Sequence, residues 1–292
     1  MSWSIVADSS CNLRSYEPRA AHTVFHIAPL TITVGDTDYV DDAHLDVPAF
    51  HQAMTNHAEA SSSSCPSAGV WAEYFREADN VIAITISGHL SGSYDAACMA
   101  RNMVLDDWMR DHDGIMTGKN IFVLDSRAAG GKLEVLVQLL DTYLAEHPAC
   151  AFEEAVDYIK RLEEHSQVLF SLSSYENLVK NGRMPRLAGT LASKLNIRVL
   201  GIASAEGTIK MVGPTRGEKK TYKKVIDSMA SCGYNGGLAY IDHVENPTAA
   251  SDLRTAILQR WPQASVEILP CGALCSYYAE QSGLIIGFEW LS

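Results

Sequence analysis

The 292-residue sequence predicts an α/β fold in two domains. The first, residues 1–165, is a parallel-sheet α/β domain. The second, residues 166–292, is an α+β domain with a mostly antiparallel sheet. Three observations carry this expectation. The chain is long enough for two cores. In its first half, short apolar runs alternate with helical patterns, as in a parallel layer crossed by helices. In its second half, apolar runs follow one another with fewer helices between them, and the Glu206-Gly207 turn joins two of them.

The elements follow in order. Trp3–Ala7 reads as a strand that ends in Asp8-Ser9-Ser10-Cys11-Asn12. Thr23–Thr33 holds one or two strands broken at Pro29, where the ladder loses a donor. Pro48–Ala58 and Ala68–Ala78 carry helical periodicity. Val81–Ile86 is a continuous apolar run, hence a buried strand, and a helix follows from Ser93 to Trp108. Ile121–Leu124 is the next strand, ending in Asp125-Ser126, before helices at Ala129–Glu146 and Phe152–His165. The domain boundary is expected near His165–Gln167. Beyond it, strands are expected at Val168–Leu172, Ile197–Ala203, Ile209–Val212, Gly237–Asp242, Ser265–Leu269 and Leu284–Trp290. Helices are expected at Tyr175–Asn181, Lys219–Ala230 and Ala249–Arg260.

Composition excludes several classes. Hydrophobic residues make up 47% and charged residues 20% of the chain, as in ordinary globular proteins. No apolar run reaches the ~18 residues that a membrane span needs. The start, Met1-Ser2-Trp3-Ser4, has no basic-then-apolar leader. The seven cysteines are scattered without CxxC spacing, which favours neither a disulfide framework nor a zinc site and points to a reducing cytoplasm. Net charge is −12, yet residues 180–224 carry 11 Lys/Arg against Glu206 and Glu218, a local +9 on a remainder of −21. That segment reads either as a solvated basic face or as a docking surface for a phosphate or an acidic partner. The acidic remainder repels nucleic acid, and no recognition motif accompanies the basic segment.

Two polar turns carry the chemistry: Ser63-Ser64-Cys65-Pro66-Ser67, and Ser87-Gly88-His89-Leu90-Ser91-Gly92-Ser93 directly after a buried strand. Glycines let backbone approach a ligand, a helix start offers unpaired N–H groups, and serines add donors. This makes an anion cradle, although Ser67 and Ser91 also suit plain helix caps. Neither turn holds a nucleophile–base pair, so the cradle suits holding a small acidic group rather than transforming it. Asp8 and Asp125 fit turn and capping roles. Cys65 has no paired histidine nearby in sequence, His89 suits a solvated loop, and Cys271 and Cys275 at i, i+4 suit packing.

Together these segments resemble the DegV family across nearly the whole chain. The opening Ile5–Leu13, with Asp8-Ser9-Ser10-Cys11-Asn12-Leu13, is similar to that family's Asp-Ser-Thr-Ala-Asp-Leu turn. Pro29-Leu30, Tyr39-Val40-Asp41 and Val123-Leu124-Asp125-Ser126 fit further blocks. Ser63–Ser67 is similar to Thr-Ser-Gln-Pro-Ser, and Ser87–Tyr94 to Ser-Ser-x-Leu-Ser-Gly-Thr-Tyr. Tyr175–Arg183 resembles Tyr-Leu-x-x-Gly-Gly-Arg, and Arg216–Lys220 an Arg-x-x-Lys-Lys run. The resemblance implies a fatty acid buried between two domains as the bound ligand, with no other cofactor. Its carboxylate would be held by Ser63, Ser64, Ser91, Gly92 and Ser93. It further implies a non-catalytic, fatty-acid-binding subunit that presents the carboxylate to a separate ATP-dependent fatty acid kinase. Arg183, Arg216, Lys219 and Lys220 would then face that kinase.

The resemblance breaks near the C-terminus. Where the family has Thr-His-x-Gly-Pro-Gly, this chain has Tyr277-Tyr278-Ala279-Glu280-Gln281-Ser282. Tyr278 takes the position of the histidine that contacts the head group. It can donate a hydrogen bond but supplies no positive charge. Glu280 is expected to bring a like charge toward the carboxylate. Gly88 and Ser93 also replace hydroxyl-bearing family residues. The rival reading is a stand-alone enzyme or binding protein for a small polar carboxylic acid, without a Walker-type loop or HExxH site to support it.

Overall fold

The computed structural model describes residues 1–56, 61–114, 117–184 and 197–291. β1 (Trp3–Asp8) pairs in parallel with β2 (Thr23–Ala28) and with β6 (Asn80–Thr85), and β6 pairs in parallel with β7 (Asn120–Asp125). Every residue of β1 and β6 is buried, so continuous apolar runs rather than alternation mark these strands. Helices α2 (Ala68–Arg76) and α3 (Ser93–Asp111) cover one face through Trp71, Phe75, Ala97 and Val104. The other face receives α4 (Gly131–Glu146), with α5 (Phe152–Glu164) packed beside it.

The second sheet contains β8 (Ser166–Leu172), β9 (Ile197–Ala203), β10 (Ile209–Arg216), β11 (Leu238–His243), β12 (Ser265–Pro270) and β13 (Leu284–Glu289). Its order is β10-β9-β8-β13-β11-β12, antiparallel throughout except for β11–β12. Helices α7 (Glu218–Cys232) and α8 (Pro247–Arg260) pack on its outer face. α4 serves both sheets: it touches β1 and β6 of the first and β13, β11 and β8 of the second. Among the described residues no helix is long and apolar enough to cross a membrane.

Several elements differ from the sequence reading. Thr23–Thr33 divides between β2 and β3 (Thr31–Val34), and β3 joins a third sheet of order β4-β3-β5 with β4 (Thr37–Val40) and β5 (Ser61–Ser64). The serine run is therefore a strand, invisible to hydropathy because it has no apolar residue. The helix expected at Pro48–Ala58 is α1 (Val47–Asn56); its last two expected residues lie outside the described ones. β10 runs past Val212 through Pro214, which an edge strand tolerates. Two short helices, α6 (Glu176–Lys180) and α9 (Ala273–Ala279), flank the gap between the large sheets; the second was not expected.

α4 approaches β13 backbone to backbone. A Cβ on Gly287 would lie 1.8 Å from the carbonyl carbon of Gly131, and one on Gly131 would lie 2.3 Å from the amide nitrogen of Gly287. Neither side has a flexible chain that could yield. Gly287→Ala is expected to lower the unfolding free energy in urea by ~3 kcal/mol or more, at the upper end of overpacking costs. Unchanged stability would mean that α4 and β13 part easily.

The same junction buries two carboxyls. Glu134 on α4 accepts from the Asn12 amide at 2.5 Å, and Asn12 Oδ1 accepts from the Gly272 amide at 2.8 Å. Glu134 and Asp242 are fully buried, and the Asn12 side chain and the Gly131 backbone only partly offset the burial of Asp242. Burial pushes Glu134 up to about 7, and burial followed by the nearby Glu134 pushes Asp242 well above the carboxylate range. The folded state thus holds protons that the unfolded chain releases from about pH 4.5 upward. Stability should be full below that pH and fall as pH rises through about 7. Melting temperatures between pH 5 and pH 8 are expected to decline, with a shallower slope in Glu134→Gln; a flat wild-type profile contradicts this.

Candidate functional site

The first polar turn is built around Asp8 at the end of β1. Its fully buried carboxylate accepts from Ser10 Oγ (2.6 Å), the Ser10 amide (3.2 Å), the Ile86 amide (2.8 Å) and Ser93 Oγ (2.7 Å). Burial raises its pKa, and these hydrogen bonds pull it back. Ile86 and Ser93 bracket the Ser87–Ser93 turn, so one carboxylate pins both ends. Asp125 adds a third pin, accepting from the Gly88 amide (3.2 Å) and the Arg127 amide (2.9 Å). Ser87 Oγ donates to the carbonyl of Gly207 at 2.8 Å, which ties the turn to the β9–β10 hairpin.

β5 brings the second polar segment. Its alternation turns Ser61 and Ser63 inward and Ser62 and Ser64 outward. Ser61 Oγ shares a hydrogen bond with Tyr277 Oη (2.6 Å), and Ser63 Oγ with Tyr278 Oη (2.7 Å), both tyrosines lying on α9. The chain then turns through exposed Cys65 to Ser67, which caps α2 by accepting from the Val70 amide at 3.3 Å. A Cβ on Gly92 would lie 3.3 Å from Cys65 Sγ, so the two polar turns lie side by side.

Beneath them a narrow, mostly apolar slot opens between the two large sheets. Leu30, Ile86, Leu90 and Ala129 line it from the first sheet's side. Phe170, Leu172, Leu178, Ile209, Leu274 and Ile285 line it from the second. Among the described residues its polar lining is Ser63, Ser91, Arg183 and Tyr278, with the Cys275 thiol. Arg183 donates from Nε to the Leu90 carbonyl (3.2 Å) and from Nη1 to the Asn181 carbonyl (2.6 Å). Its Cζ lies 5.9 Å from the centre of the Tyr278 ring. Burial raises the Tyr278 pKa, while Ser63 and Arg183 draw it down. Among the described residues the polar end therefore offers two serine hydroxyls, a phenol and one guanidinium.

The expected site residues divide accordingly. Ser63, Ser91 and Tyr278 line the slot. Ser64 does not, because strand alternation exposes it on the far side of β5. Gly92 packs beside Cys65, and the Ser93 hydroxyl is buried on Asp8 rather than in the slot. Arg183, expected on a partner-facing surface, is instead a slot residue. Arg216, Lys219 and Lys220 are exposed at the end of β10 and the start of α7, and none lines the slot. Residues 185–196 of the basic segment lie outside the described ones. Glu280 does not approach the polar end as a like charge: its Oε1 accepts from the Asn177 amide at 3.0 Å. His89 is exposed in its loop. Among the described residues no group of three His, Cys, Asp or Glu side chains could hold a metal ion. Sequence reasoning missed the inward pair Ser61 and Tyr277; the period-2 reading of residues 61–64 is the signal that could have found Ser61.

Ser91 and Ser93 should behave differently on substitution. Ser93→Ala removes a buried bond to a charged group and is expected to cost ~1.5–3 kcal/mol of stability in urea unfolding. Ser91→Ala, which gives up only the long 3.3 Å contact from the Ser93 amide, is expected to cost less than ~1 kcal/mol. Equal losses would contradict this division.

Comparison with known proteins agrees with this architecture. The family model described as "Uncharacterised protein, DegV family" matches residues 2–289. A DegV domain-containing protein of Streptococcus pneumoniae is 39% identical over 289 residues, covering 99% of each chain. The crystal structure of the Streptococcus pneumoniae fatty acid kinase (Fak) B3 protein loaded with linoleic acid is similar at a TM-score of 0.92 and 39% identity, with 99% of each chain covered. A DegV family protein of Eubacterium eligens loaded with heptadecanoic acid is similar at a TM-score of 0.89 and 31% identity, again covering 99% of each chain. With the family model matched almost end to end and relatives of this identity along the full length, the chain belongs to the DegV family.

Proposed function

We propose that this protein binds one long-chain fatty acid in the slot and presents its carboxylate to a separate ATP-dependent fatty acid kinase subunit in the cytoplasm. The observation that carries this reading is the slot itself: apolar along its walls, polar at one end. Burying an acyl chain contributes ~0.8 kcal/mol per CH₂, so about 15 methylenes gain on the order of 12 kcal/mol before association costs. The apolar walls supply affinity, and their extent favours a long-chain acid over a small polar one. The polar end supplies orientation. Arg183 is the counter-ion of the carboxylate, and Ser63, Ser91 and Tyr278 donate to its oxygens. On binding, the carboxylate replaces the Ser63–Tyr278 contact with one bond from each hydroxyl.

In this reading the chain performs no chemistry of its own. The acyl phosphate forms when the kinase subunit delivers a phosphoryl group to the presented carboxylate. The exposed Arg216, Lys219 and Lys220 steer that encounter, on a segment of +9 against a remainder of −21. The neighbours loaded with linoleic and heptadecanoic acid support the ligand class; the basic segment supports the partner.

Mass spectrometry of extracted ligand is expected to find a retained long-chain fatty acid. Arg183→Leu is expected to weaken fatty acid binding about 10- to 100-fold, the worth of a charged hydrogen bond, while leaving a fatty alcohol unaffected. Arg216→Ala should leave binding intact and slow acyl phosphate formation, the defect growing at low salt. Failure to bind any fatty acid would overturn the reading; loss of binding in Arg216→Ala would overturn the division between slot and docking face.

A further inference from the structure

Glu280 stands where a side chain is costly. It follows α9 with φ 55° and ψ −178°, a backbone region that is essentially the preserve of glycine. Surrounding bonds hold it there: its amide donates to the Ser276 carbonyl (2.9 Å), and its carbonyl accepts from the Gly283 amide (3.1 Å). Strain of this kind persists only where neighbours over-determine it, and the side chain accounts for its presence. Glu280 Oε1 accepts from the Asn177 amide at 3.0 Å, in the first turn of α6.

α6 has five residues and cannot hold its own position. Its placement depends on what grips it. Asn177 Nδ2 donates to the Tyr277 carbonyl at 2.8 Å, and Asn181 Nδ2 donates to Tyr277 Oη at 2.8 Å. With the Glu280 bond, these make a bracket between α6 and α9, and Glu280 supplies its charged member. Arg183 leaves the end of that bracket, its Nη1 donating to the Asn181 carbonyl at 2.6 Å. Displacing α6 therefore removes one of the two carbonyls that hold the guanidinium over the Tyr278 ring, the other being that of Leu90.

We infer that Glu280 is a positioning residue: at the cost of a strained backbone it ties α6 to α9 and so holds Arg183 at the polar end of the slot. The inference rests on the reading that a fatty acid binds there with its carboxylate against Arg183. It assigns Glu280 a role through Arg183 and no contact with the ligand.

The test compares Glu280→Gly and Glu280→Gln with wild type, using a fluorescent polyene fatty acid and the corresponding alcohol as probes. Glu280→Gly is expected to melt close to wild type, because relieved strain offsets the lost bond. It should bind the acid about tenfold more weakly, the size of one lost charged hydrogen bond, and the alcohol equally well. Glu280→Gln keeps an oxygen acceptor and should restore acid binding to within about twofold. In an Arg183→Leu background, Glu280→Gly should have no further effect. Amide exchange across residues 176–183 of the ligand-free protein gives a readout independent of lipid: it should rise in Glu280→Gly and not in Glu280→Gln. Equal weakening of acid and alcohol, unchanged acid binding, or unchanged exchange in Glu280→Gly overturns the inference. If wild type binds neither probe, the lipid reading fails, and the exchange result alone decides whether Glu280 positions α6.

Discussion

The contact of Gly131 with Gly287 is the constraint on which the rest depends. Without side chains at these positions, the backbone of α4 lies directly on a central strand of the second sheet, while the same helix covers β1 and β6 of the first. One helix thus sets the spacing of both sheets. Ile285, two residues from Gly287 and on the same face of β13, is carried into the slot wall by that approach. The turns at the ends of β1, β6 and β7 are brought opposite it. A wider helix–strand separation would move this wall of the slot away from those turns.

At the polar end, orientation is built indirectly. Asp8 never lines the slot, yet it pins the Ile86 amide and the Ser93 hydroxyl, and so decides where Ser91 points. β5 lends Ser63 by alternation alone, and α9 meets it with Tyr278. The charge comes from Arg183, reached through α6. Burial raises the phenol pKa of Tyr278, so it stays a neutral donor where an imidazole at that position would change charge near neutral pH. Among the described residues lining the slot, Arg183 is the cation at the polar end.

The buried Glu134 and Asp242 give the same junction a different character. They are fully buried, with no salt bridge to either among the described residues, and burial favours their protonated forms. Close packing between the sheets and one member of this pair, Glu134, share α4. Glu134 on α4 and Asp242 on β11 thus place the expected pH response at the contact between that helix and the second sheet.

The residues alone determined the two-sheet α/β class, because the continuous runs at Val81–Ile86 and Ile121–Leu124 and the helical stretches between them are local patterns that burial selects. That Ser63 and Ser91 lie in polar turns was also legible, through turn chemistry and contiguous motifs, while Tyr278 was placed only by its position in a segment where the resemblance breaks. The strand character of Ser61–Ser64 was not, since four serines have no hydropathy and become a strand only when β3 offers a ladder. Nor was the exclusion of Ser93 from the slot, which depends on Asp8 85 residues away. The move of Arg183 from docking face to slot, and of Glu280 from repelling charge to the amide of Asn177, depend on α6 meeting α9 about 100 residues later in the chain. Periodicity and turn chemistry report what a segment does to its own neighbours. Which way a polar side chain faces is decided by partners that only the folded chain brings within hydrogen-bond reach.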